Sequence, residues 1–211
     1  MVREIRLYIE GGGDQSDVKR RLREGFAAFF GTLHEQCRAR RIRLNVILCG
    51  GRAKTFEAFS AQVGKDPAVR CLLLVDAEGP VQGRPWAHLR ARKGDEWCCP
   101  PGADDDHCHL MAQLSEAWLL CDLEALKRYY GDGFRDKMLP GREDVEAIPK
   151  RDVERALREA TAQTRKGEYH KTRHAPELLG KIDPEKVCRR AAHCQRLFTS
   201  IRAAAGIPAP G

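Results

Sequence analysis

Carboxylates at two points of this chain have the types and spacing of metal-assisted chemistry. Glu10 closes the run REIRLYIE just before Gly11-Gly12-Gly13-Asp14, and Asp76-Ala77-Glu78 closes VRCLLLVDAE. Each acid sits where a buried strand should end. Parallel strands deliver their C-terminal ends to one edge of a sheet, so carboxylates on two such ends can meet on one divalent cation. Phosphoryl transfer uses this arrangement, because the cation offsets charge on phosphate and activates water. Acids two apart on extended chain also point to one side, which lets Asp76 and Glu78 act together. Plainer roles stay open: a strand-end acid often serves a turn or pairs with an arginine, and Asp14 suits the cap of the next helix.

The glycine turn after Glu10 is not a nucleotide loop. It lacks the G-x-G-x-x-G of dinucleotide folds and the Lys-Ser/Thr of mononucleotide loops, and its acid would repel phosphate unless a metal lay between them. Basic candidates lie elsewhere. Arg52, after Cys49-Gly50-Gly51, can clamp phosphate if the second strand lies beside the first. The segment Lys166 to His174 concentrates cations, two imidazoles and a phenol: Lys171 can stabilise an oxyanion, and His170 or His174 can move protons. Lys150 after Pro149 is a further phosphate candidate, although solvated helix starts and loops also carry such residues. Glu116, in the apolar phrase HLMAQLSEAW, is either a hydrogen-bonded structural acid or another metal-site carboxylate. Cys98, Cys99, His107, Cys108 and His109 invite zinc, but neighbouring ligands cannot easily share one tetrahedron and no C-x-x-C pair is present. Asp104-Asp105-Asp106 reads as a solvated acidic loop.

The elements needed to position these groups alternate β and α. Residues 3–9, 43–49 and 71–75 read as strands, 15–40 as one long amphipathic helix, and 53–63 as a shorter one. Near-continuous apolar strands alternating with helices predict an α/β fold whose parallel sheet is sandwiched by helices. Residues 79–103 read as a loop, 109–113 as a fourth strand or part of a longer helix, and 123–130 as a helix ended by Gly131. Segments 150–162, 175–180, 184–190 and 191–204 read as short helices, and the residues from Gly206 onward as a frayed tail. This divides the chain into an α/β domain, 1–135, and a mainly helical, basic extension, 136–211, packed on it.

Charge supports that division. The chain has 37 Lys and Arg against 30 Asp and Glu, a formal net charge of +7. Residues 101–149 are acidic, with 5 basic and 11 acidic side chains, whereas 150–211 carry 14 and 7. A basic face beside an acidic metal site suits nucleic acid, DNA or RNA, whose phosphates need positive potential to approach carboxylates. The odd count of nine cysteines, several inside apolar runs, predicts reduced thiols. With no long apolar run and no signal-like start, the expected location is the cytoplasm.

An acid and glycine ending the first strand, with Asp-x-Glu ending a strand two β/α units later, resemble the Toprim domain of topoisomerases, primases and OLD-family nucleases. The usual second motif there is Asp-x-Asp, so Glu78 lengthens one arm. More closely, YIEGGGD, CGGR, LLLVDAEGPV with PWAHL, HLMAQLSEAWLLCDLEALKRYYG, IPKRDV, YHKTRHAPELL and IDPEKV resemble the bacterial family catalogued as domain of unknown function 4276, a Toprim-like group. The resemblance covers nearly the whole chain. It implies Glu10, Asp76 and Glu78 as ligands of Mg²⁺ or Mn²⁺ and, by analogy, a nuclease paired with an ABC- or AAA-type ATPase in defence against mobile DNA. A module of this fold that docks on the ATPase and cuts nothing is the alternative.

Overall fold

A computed structural model describes residues 1–13 and 15–208. Four strands, β1 (Glu4–Glu10), β2 (Arg43–Gly50), β3 (Val69–Asp76) and β4 (Cys108–Met111), form one all-parallel sheet in the order β2-β1-β3-β4. The expected α/β architecture, a parallel sheet flanked by helices, is what the chain adopts. Period-two alternation gives each sheet face its own core. Ile5, Leu7, Ile9, Leu72 and Leu74 point into a large core with Phe26, Phe29, Trp118 and Leu197, while Tyr8, Cys71, Leu73 and Val75 point into a smaller one with Phe59, Trp86 and Leu89.

The helix expected over 15–40 is two: α1 (Ser16–Phe29) and α2 (Gly31–Ala39), broken at Phe30. Successive residues of one helix point about 100° apart, and the break lets both Phe29 and Phe30 enter the large core, where each ring meets Phe198. α3 (Arg52–Ser60) follows β2. The expected loop 79–103 contains a helix, α4 (Pro85–Ala91), too short for periodicity to reveal but begun by a proline at its first position and anchored by buried Trp86 and Leu89. Residues 108–111 are the fourth strand, and Ser115–Cys121 form a 3₁₀ helix leading to α5 (Leu123–Tyr130).

The remaining helices are α6 (Lys150–Thr161), α7 (Lys171–Leu179), α8 (Pro184–Arg190) and α9 (Ala192–Ala204). α7 starts four residues before the expected position, because its first turn, Lys-Thr-Arg-His, has no apolar spacing to mark it. Leu178, Leu197, Phe198 and Ile201 of these helices lie in the same apolar core as β1. Among the described residues no helix is long and apolar enough to cross a membrane. All nine cysteines are free thiols.

Candidate active site

The C-terminal ends of β1 and β3 lie side by side, and a cavity of about 470 Å³ opens above them. Glu10 reaches it through a register shift: Ile9 pairs with Leu48, but Glu10 pairs with Gly50, leaving Cys49 as an extra residue on β2. Such bulges re-aim side chains at sheet edges. The glycine turn then lets α1 close onto the sheet. A Cβ on Gly12 would sit 2.7 Å from Lys19 Cγ, and one on Gly50 2.6 Å from the Gly13 carbonyl. The glycines therefore serve close packing around the carboxylate. Asp14 lies outside the described residues.

Arg52, at the first position of α3, fixes Glu10. Its Nη1 donates to Glu10 Oε2 at 2.8 Å and to the Asp76 carbonyl at 2.6 Å, while Nε and Nη2 donate to the two oxygens of Asp95 at 2.7 and 2.6 Å. Trp97 covers the guanidinium at 5.1 Å and stacks on Phe56. All three nitrogens of the expected phosphate clamp are thus engaged, and the physical reason is Asp95, a fully buried acid whose charge demands a bidentate partner. Burial pushes the Glu10 carboxyl up, against the pull of Arg52.

Asp76 forms the cavity floor. The Ser115 N–H donates to its Oδ1 at 2.9 Å, and the Lys171 ammonium stands 3.7 Å from Oδ2, beyond hydrogen-bond reach. Burial, with Glu116, Glu10 and Glu78 adding negative charge nearby, pushes its pKa up to about 7 despite Lys171. Lys171 Nζ donates to Glu116 Oε2 at 3.2 Å, and the Tyr169 hydroxyl donates to Glu116 Oε1 at 3.4 Å. Burial works against the Lys171 charge, but Asp76 and Glu116 together raise its pKa, so it stays an ammonium. Its side chain remains about half exposed, at 53%.

Glu78 departs from the extended geometry that would align it with Asp76. Its φ of 63° is left-handed, a conformation costing a non-glycine residue roughly 1–2 kcal/mol, and its N–H donates to the Gln113 carbonyl at 2.7 Å. The turn brings its carboxylate to Lys150 Nζ. Burial works to raise the Glu78 pKa, but Lys150 holds it below the usual range.

The family model for a domain of unknown function, DUF4276, matches residues 9–202. The chain belongs to that family. No curated protein and no solved structure matches it. The matched span of this DUF4276 chain takes in every acid and cation of the cavity. Its fold brings together Glu10, Asp76, Glu78, Glu116, Lys171, Arg52 and Lys150 from separate segments.

The imidazoles stand apart. His170 is exposed, with its Nδ1 3.2 Å from the Thr172 hydroxyl. His174 is buried among Tyr129, Tyr130 and Tyr169, on a face of α7 that does not line the cavity, and burial lowers its pKa. Sequence reasoning missed Asp95 and Ser115. Asp95 lay in a stretch read as loop, and a backbone N–H leaves no mark in composition.

The donor set fits a hard divalent cation: among the described residues, four carboxylates and no thiol or imidazole line the cavity. Asp76 is the clearest indication, a buried acid whose Oδ2 faces the Lys171 ammonium at 3.7 Å across the cavity. Among the described residues no three such side chains already stand together as a cage. The acids are held by Arg52, Lys150 and Lys171 instead.

Proposed function

We propose that this DUF4276 protein hydrolyses phosphodiester bonds of nucleic acid at the carboxylate cavity, with Mg²⁺ or Mn²⁺ held by Glu10, Asp76 and Glu78 and with Glu116 behind them. One observation carries the reading: acids from three segments and one half-exposed lysine converge on a single cavity at the C-terminal edge of a parallel sheet. When bound, the cation would supply Lewis acidity and lower the pKa of water.

The chain's own residues do the rest. Arg52 pulls Glu10 toward its charged form, against burial, and aims it into the cavity. Asp76, anchored by the Ser115 N–H, is the acid with most to gain from a cation. Lys171, oriented by Glu116 and Tyr169, offers positive charge to a phosphate oxygen as charge builds on it. Lys150 and Lys171 enter from α6 and α7, in the basic part of the chain, and bring the positive rim that a polyanion needs. Their side chains are 34% and 53% exposed, so both can swing from an acid to a phosphate. Arg52, at 15%, stays in place.

A second reading draws on one observation, that cations already neutralise these acids. On it the protein is a non-cutting module that docks on an ATPase partner, in the setting of mobile-DNA defence. Calorimetry with Mn²⁺, followed by incubation with supercoiled plasmid and with RNA, separates the two. The hydrolase reading expects Mn²⁺ binding that Asp76→Asn abolishes, together with metal-dependent cleavage of one substrate. A folded protein that neither binds Mn²⁺ nor cuts would leave the docking module.

A further inference from the structure

The cavity has a second half that the carboxylate chemistry does not use. Val18, Leu22 and Phe26, spaced by four along α1, face Pro176 and Leu179 of α7, with Leu119 between them. The two helices touch at Gly25, where a Cβ would lie 2.3 Å from the Pro176 carbonyl, and again where Gly180 meets Ala28. Gln15, just before α1, and Lys171 and Thr172, which open α7, line the cavity, so both helices present their N-termini to it. Aligned peptide dipoles there favour an anion, beside the Lys171 ammonium. The site is thus anionic at its floor, cationic at its rim and apolar along one wall.

We propose that this apolar wall receives the base of one unpaired nucleotide, so that the substrate is a single-stranded nucleic acid. The inference rests on the phosphodiester reading and names its substrate class. A nucleotide has the matching halves: a flat, weakly polar base and a phosphate that a carboxylate-held cation and Lys171 would both attract. The volume of about 470 Å³ lies in the range of roughly 300–1,000 Å³ typical of small-ligand sites. A base inside a duplex cannot enter such a pocket without leaving its stack, at a cost of a few kcal/mol. An unpaired base avoids that cost. The six apolar side chains offer no hydrogen bonds to a base edge, so the pocket takes any base with little sequence preference.

The test compares thymidine 5′-monophosphate with 2-deoxyribose 5-phosphate, and a dT oligonucleotide with a blunt duplex of the same length, by calorimetry in Mg²⁺ buffer. The expected result is at least tenfold tighter binding of the nucleotide than of the sugar phosphate, and of single strand than of duplex. Leu22→Ser, at a half-buried wall position, should bring the nucleotide close to the sugar phosphate. Thr172→Trp, at an exposed rim position that leaves the core untouched, should block the nucleotide by bulk. Equal affinity for nucleotide and sugar phosphate, a preference for duplex, or no binding of any probe would overturn the proposal. Mn²⁺ titration of the same samples reads the carboxylates separately. A base preference without Mn²⁺ binding would uphold the pocket and sink the metal chemistry.

Discussion

Glu10, the pair Asp76 and Glu78, and Glu116 stand on three segments far apart in sequence yet line one cavity, whereas Cys98, Cys99, His107, Cys108 and His109 crowd a short stretch and the fold disperses them. Cys98 and Cys99 are exposed. His107 Nδ1 lies 2.7 Å from Asp104, Cys108 is sealed in the smaller core, and His109 packs beside Arg196. Parallel strands gather what sits at their ends, while neighbours along one strand point to opposite faces. Burial acts in the same sense on both regions, pushing Asp76 up to about 7 and His109 down to about 3. The difference is that Asp76 opens on a cavity and faces a half-exposed lysine, whereas His109 is fully enclosed.

Removing the cation that frames each region should show the inequality most strongly. Arg52→Ala leaves Glu10 without its cation and buried Asp95 with Arg92 alone, and should cost about 3–5 kcal/mol in urea unfolding. Arg196 donates chiefly to the Cys108 and Asp105 carbonyls and is more exposed. Arg196→Ala should therefore cost only about 1–3 kcal/mol. Equal losses would mean that both regions are framed alike. The next effect falls on function: Lys171→Met should lower plasmid or RNA cleavage roughly 10²–10³-fold, as loss of one oxyanion-stabilising donor does, and should also lower the unfolding midpoint, because buried Glu116 loses its cation. Unaltered cleavage would remove Lys171 from the chemistry.

The same contrast explains what could be read from the sequence. Strand ends are legible because apolar runs stop at them, so Glu10, Asp76 and the sheet that carries them were recoverable. The glycine-rich turn was legible too, though its glycines serve the close approach of Lys19 and Gly13 rather than a ligand. Asp95 and the seven-residue α4 were not, since a buried ion pair formed 43 residues apart has no local signature. The start of α7 was hidden for a related reason: its first turn is polar throughout, with Lys171 and Thr172 lining the cavity. The apolar wall was invisible as a site, because Val18, Leu22 and Phe26 look like any core stripe until the fold shows that they line the cavity.

Opposite pH slopes should sharpen the comparison in metal-free buffer. Asp76 has a folded pKa of about 7 against 3.8 for the free side chain, so the unfolded chain loses its proton first as pH rises. Stability then falls by about 1.4 kcal/mol per pH unit between those values. His109 has a folded pKa of about 3 against 6.5, so the unfolded chain gains a proton first as pH drops. Stability falls in that direction with the same slope, about 1.4 kcal/mol per unit. Between pH 4 and 6.5 the two contributions oppose each other. Urea midpoints of Asp76→Asn should therefore rise with pH across that window, and those of His109→Gln should fall. Parallel curves for the two variants would show that one of these groups is not buried in solution.

The smallest effect is expected in the Cys98 to His109 stretch, whose residue types invite zinc but whose spacing argues against it. Replacing Cys98 and Cys99 together by serine should change stability by less than about 0.5 kcal/mol, as surface substitutions usually do, and should leave Mn²⁺ binding unchanged. The thiolate is the form that binds zinc. Burial and the nearby Asp105 and Asp104 push the Cys99 thiol up, away from that form. His107 is already taken by Asp104, and reaching Cys108 would mean opening the smaller core. A zinc titration that raises the unfolding midpoint of the parent protein but not of the double-serine variant would reverse the contrast, by showing that the segment can draw together ligands which the fold holds apart.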